Sequence, residues 1–192
     1  MEWTYLVDWQ AIALFAQAGA VFGAAVFASL KFDDWRKQFS YQRKAECAEN
    51  ALHAFYQAED ALKRVRSPLA SGHENQKARE TLEIDNPTQR QVQAQLSWHR
   101  IVEEREKWDA VIAQLAPTRI RFGVQTEQYL RDFLTQLRAV QVGIQVYAET
   151  EDREFRQKLE REFWYINDLD DVSIGVARAR EGLEKSFKEF TG

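Results

Sequence analysis

Residues 11 to 30 read AIALFAQAGAVFGAAVFASL, with no charged side chain and Gln17 as the only strongly polar one. As an α-helix, such a run rises about 30 Å, the hydrocarbon thickness of a bilayer. It predicts one N-terminal transmembrane helix, with everything after it on one side of the membrane. The other reading, a buried central helix of a soluble bundle, is disfavoured by the run's length and lack of charge. The preceding residues, MEWTYLVDWQ, carry Glu2 and Asp8 but no Lys or Arg, so they lack the basic start of a cleaved signal. Residues 31 to 44 carry Lys31, Arg36, Lys37, Arg43 and Lys44 against Asp33 and Asp34. A basic flank stays cytoplasmic. The expected layout is therefore a short extracytoplasmic N-terminus (1–10), a span (11–30) and a cytoplasmic domain (31–192) at a bacterial inner membrane. Trp3, Tyr5 and Trp9 on one side, and Phe32 and Trp35 with Lys31, Arg36 and Lys37 on the other, suit the two membrane interfaces.

Small residues crowd this run. Ala16, Ala20, Ala24 and Ala28 recur every four residues, and Gly19 and Gly23 form a GxxxG on the adjacent row. Small side chains let helix backbones approach closely in lipid, where no hydrophobic drive exists. Gln10, Gln17, Ala24 and Lys31 are spaced by seven and share a face of a supercoiling helix. The Gln17 amide lies at hydrocarbon depth and wants a partner, either its counterpart in another chain or water in a cavity. The expectation is a homo-oligomer, built as a closed bundle or a narrow pore.

The rest reads as all-α. Three prolines and eight glycines, two of them inside the apolar run, leave few breakers. A mean hydropathy of −0.54 excludes a polytopic membrane protein. The expected cytoplasmic part is a bundle of four or five helices. The first continues from the membrane to about residue 66, with two apolar rows: Ala48, Leu52, Phe55 and Leu62, and Ala51, Ala54, Ala58, Ala61 and Val65. Residues 67 to 87 read as a loop with a short helix near ARETLE. A second helix is expected over about 88–116, ended by Pro117, and a third from 118 or 124 to 149. A charged helix follows in EDREFRQKLEREFWYIND, and a last one after Asp168.

The chemistry is sparse. A net charge of −4 argues against a dedicated nucleic-acid binder, although Arg119, Arg121, Arg131 and Arg138 give an RNA partner some footing. Cys47 is the only cysteine, so one chain forms neither an internal disulfide nor a cysteine zinc site. Glu103, Glu104 and Glu106 near His99 match no two-metal spacing, and no metal or cofactor is expected. There is no HExxH, Walker A or GxSxG motif.

One constellation stands out: RSPLASGH, from Arg66 to His73. It resembles the R-x(4–6)-H motif of HEPN ribonucleases. The resemblance implies that Arg66 handles a scissile phosphate and His73 moves a proton, across a dimer interface. Pro68 and Gly72 depart from that family, whose motif lies at a helix start. The other reading is a Ser-Pro turn that stops the first helix, with Arg66 near the favourable C-terminal end of its dipole. The overall layout, with Arg66 and His73, also resembles the membrane accessory protein of RNA-targeting type VI CRISPR systems. That resemblance implies a non-enzymatic, oligomeric membrane pore in antiviral defence. Three readings follow: a self-assembling membrane effector or pore in defence or stress response, a membrane-tethered HEPN-like ribonuclease, and a passive membrane-anchored adaptor. The partners expected are the bilayer and further copies of the chain, with a cytoplasmic protein or RNA partner unidentified.

Overall fold

A computed structural model describes residues 9–165 and 167–191; the side chains of 9–14, 16, 24, 25, 28–30, 33 and 161–163 lie outside the description as well. Trp3 therefore lies outside the described residues. So do the side chains of Trp9, Ala16, Ala24 and Ala28. The described chain is all-α, with seven helices: α1 (Trp9–Val65), α2 (Gly72–Thr81), α3 (Gln89–Glu103), α4 (Arg105–Phe122), α5 (Val124–Glu149), α6 (Arg153–Phe163) and α7 (Asp171–Phe187). It divides into two units, Met1–Arg43 and Lys44–Gly192.

The described residues of the first unit are the N-terminal part of α1. Its described apolar side chains are uncovered: Phe15, Val21, Phe22, Val26 and Phe27 are all exposed. A Cβ at Gly19 or Gly23 would meet nothing within 4 Å. Among the described residues no helix is long and apolar enough to cross a membrane.

The second unit is the bundle, and its core starts from the two apolar rows of α1. Ala48, Ala51, Ala54, Phe55, Ala58, Ala61, Leu62 and Val65 are all buried. The alanines let neighbouring helices come close, while Phe55 reaches Phe133 of α5 at 4.9 Å between ring centroids. The α5 helix is the central element and packs against α3, α4, α6 and α7. Its buried Leu130, Phe133, Leu137, Val140 and Ile144 recur every three or four residues, which gives one continuous face. The α7 helix lies tightest against it. A Cβ at Gly182 would fall 2.4 Å from the Tyr129 ring, and one at Gly175 would fall 2.6 Å from Gln136.

Three expectations need correction. The described residues hold seven helices where four or five were expected, because the expected second helix is two, α3 and α4, broken at Glu104, and because α2 is a helix of its own. Pro117 does not end a helix: α4 runs through it to Phe122. A proline removes one N–H and one helical bond. Here packing on both sides offsets that loss: Thr118 is fully buried, and Phe122 stacks edge-on against Phe187 at 4.7 Å and Phe190 at 5.4 Å. The terminator is Gly123, whose φ of +89° suits glycine and few other residues. The 67–87 segment is a loop around a short helix, as expected, but the helix is placed differently. Its helix begins earlier than ARETLE, at Gly72, because Ser71 and Glu74 form a capping box.

Candidate functional site

The RSPLASGH segment leaves the end of α1 and enters α2, and two buried arginines hold it there. Arg66 follows the last residue of α1, and its side chain is only 2% exposed. Its Nη2 donates to Asp170 Oδ1 at 2.7 Å, and its Nη1 donates to Ser173 Oγ at 3.1 Å. Its carbonyl accepts from the Tyr165 N–H at 2.8 Å. Burial pushes the guanidinium pKa down, and the Asp170 carboxylate opposes that shift. Asp170 also caps α7, accepting from the Ser173 N–H at 2.9 Å. One carboxylate thus ties the end of α1 to the start of α7.

Arg100, from α3, holds the other side of the turn. Its Nη1 donates to the carbonyls of Arg64 and Ser67 at 3.0 and 2.9 Å, and its Nη2 donates to that of Leu69 at 2.7 Å. A helix end and the turn after it leave carbonyls short of partners, and of these three only that of Arg64 also accepts a local backbone bond, from the Ser67 N–H at 3.2 Å. Its Nε also meets Glu74 Oε1 at 3.2 Å. Glu74 in turn accepts from the Ser71 N–H at 2.9 Å. That backbone bond first, and Arg100 second, hold the Glu74 carboxyl down at about 2.

A cavity of about 180 Å³ opens between α1 and α7 beside Arg66, lined by Glu59, Lys63, Arg66, Asp168, Ser173 and Arg180 among others. Its charged groups are engaged by their neighbours. Glu59 binds Lys63 at 2.9 Å and Arg180 at 3.0 Å, and the Tyr165 hydroxyl donates to Asp168 at 2.9 Å. A shallower cleft of about 330 Å³ lies between α3 and α5, with Ile84, Gln91, Trp98, Ile144 and Glu149 in its walls.

His73 is exposed on the first turn of α2, whereas Arg66 is buried and engaged on the α7 side. Within one chain the structure therefore does not present the two as a pair around a shared open site. Glu103 and Glu104 bind Arg64 at 3.5 and 2.7 Å, and Glu104 also binds Lys107 at 2.6 Å. His99 contacts Gln95 at 3.0 Å instead of these carboxylates. Among the described residues no group of three or more His, Cys, Asp or Glu is placed to hold a metal. Arg119 and Arg131 both converge on the buried Glu127, which offsets one of that cluster's four charges. Sequence reasoning missed Arg100, Asp170, Glu59 and Arg180. Only Asp170 left a signal, as an Asp three residues before a Ser at a helix start.

The Glu74 clamp makes a pH prediction. Its folded pKa lies below the ordinary carboxylate value of 4.5, so its stabilisation is present above that value. It is lost as pH falls through about 2. Glu74→Gln should lower the thermal midpoint at pH 7 and converge with wild type near the acid limit, as read by circular dichroism.

The fold and this segment define an all-α bundle whose buried arginines organise a helix-to-helix turn. No protein-family model matches the chain, and no curated protein or solved structure is significantly similar to it.

Proposed function

We propose that the chain is a single-pass membrane protein that assembles with itself and acts non-enzymatically, as a membrane effector of the pore type. In this reading residues 11–30 span the bilayer and the bundle faces the cytoplasm. One observation carries it: the uncharged run is the start of a continuous helix, and its described apolar side chains are exposed along their length. Five large apolar side chains in water on one short helix segment are costly. Lipid or another helix removes that cost. The described side chains are only part of the run. The sequence supplies apolar or small residues at the remaining positions, from Ala11 to Leu14, at Ala16, Ala24 and Ala25, and from Ala28 to Leu30. The small residues Gly19, Ala20 and Gly23 are exposed, which leaves room for a close helix neighbour. Gln17 is exposed too, and an amide at that depth gains from a partner chain.

The nuclease reading draws no support from Arg66, whose guanidinium is committed to Asp170 and Ser173. The membrane reading has a direct test. Full-length protein should stay in the pellet when membranes are washed with alkaline carbonate. Release into the supernatant would contradict it.

A further inference from the structure

Phe32, Trp35 and Phe39 form a ladder on one stripe of α1. The Phe32 and Trp35 centroids are 5.9 Å apart, and Trp35 and Phe39 stack at 5.4 Å with an 11° interplanar angle. Arg43 closes the row, with its guanidinium 4.4 Å from the Phe39 centroid. The three rings are 57%, 56% and 40% exposed. Their spacing of three and then four residues is that of heptad positions a, d and a. Continued by sevens toward the N-terminus, the a positions are Ala18 and Ala25 and the d positions are Val21 and Ala28. Every such position from Ala18 to Phe39 is apolar. Lipid covers a helix on all sides and asks for no 3.5-residue period, whereas a partner helix does.

Depth gives a second, independent argument. Phe39 lies nine residues past Leu30, about 13 Å along a helix axis. The headgroup layer on each side is only about 5–8 Å thick. Even a tilt of about 40° leaves Phe39 roughly 10 Å below Leu30, past that layer. The membrane interface thus accounts for Phe32 and Trp35 but not for the end of the ladder.

We infer that Phe32, Trp35 and Phe39 are covered by the same residues of a second copy of this chain, in a parallel seam that begins within the bilayer and continues beyond it. The inference rests on the membrane-spanning, self-associating reading above and names one face on which the copies meet. Copies inserted in one orientation hold equal residues at equal depth, so the rings of one ladder meet those of the next. The Gly19 and Gly23 row is a different face, open to a further copy when more than two chains assemble. The same heptad puts those two at b and f, on the far side of the helix.

Site-directed cross-linking in native membranes tests this. In full-length protein carrying Cys47→Ala, single cysteines are placed by Phe32→Cys, Trp35→Cys and Phe39→Cys, with Lys37→Cys and Ser40→Cys as far-face controls. A short bis-maleimide is added, and covalent dimer is read on a denaturing gel. The ladder positions should give at least about fivefold more dimer than the controls. Equal yields at all five, or a maximum at the controls, overturns the seam. The native mass of the same membranes' protein separates the two failures. Flat yields with an oligomeric mass remove the seam and leave assembly standing, whereas flat yields with a monomeric mass remove both.

Discussion

Replacing Arg66 with alanine should lower the stability of the bundle by about 3–5 kcal/mol, because it strands a buried carboxylate. Asp170 is 9% exposed at its side chain, and its Oδ1 loses the 2.7 Å bond from Arg66. In a chain of this size the thermal midpoint should fall by roughly 10 °C, measured by circular dichroism in detergent. Arg66→Lys should recover little, since a single ammonium does not reproduce the fork that reaches both Asp170 and Ser173. Combining Arg66→Met with Asp170→Asn should recover much of the loss. That pair removes both charges, and asparagine still caps α7. The same variant separates structure from catalysis. A chain with an unchanged midpoint and abolished RNA cleavage would make Arg66 a catalytic residue and refute the structural account.

Arg100→Ala should be the second most damaging change, at about 2–4 kcal/mol. The side chain is 5% exposed, and its loss removes donors from the carbonyls of Arg64, Ser67 and Leu69 and from Glu74. The damage should concentrate in the turn between α1 and α2. Amide hydrogen exchange should rise first at residues 67–74, before the α5 core opens. Uniform exchange across the bundle would show that Arg100 stabilises the whole unit and not this turn.

The parts of the fold that were legible in sequence are those with a strong period and a local stop. The α1 rows from Ala48 to Val65 are apolar at helical spacing and end at Ser-Pro, and all but the half-buried Leu52 are buried as expected. The face of α5 was readable for the same reason, even through the strand-like VQVGIQVY. The break at Glu104 was not, because no Gly or Pro marks it. The helix is interrupted there by Glu104, at φ −89° and ψ 11°, while the apolar period carries on through Trp108, whose indole N–H donates to the Ile101 carbonyl at 3.0 Å. Pro117 misled because its penalty is local and the packing of Thr118 and Phe122 that offsets it is tertiary. The Arg66 environment was hidden for a related reason: Asp170 lies more than a hundred residues away in sequence. The motif around Arg66 was visible, but whether its guanidinium faced solvent or a buried acid was not.

The central claim is that this chain spans a membrane and assembles there through α1. The most direct test is the native mass of the full-length protein in lipid nanodiscs, beside the double variant Gly19→Leu, Gly23→Leu. The account predicts a discrete oligomer of more than two chains for wild type and a shift to a smaller assembly for the variant, because bulk on the small-residue face removes that contact and leaves only the aromatic seam. A wild-type chain that is monomeric in nanodiscs, or an oligomer of unchanged mass in the variant, would contradict it.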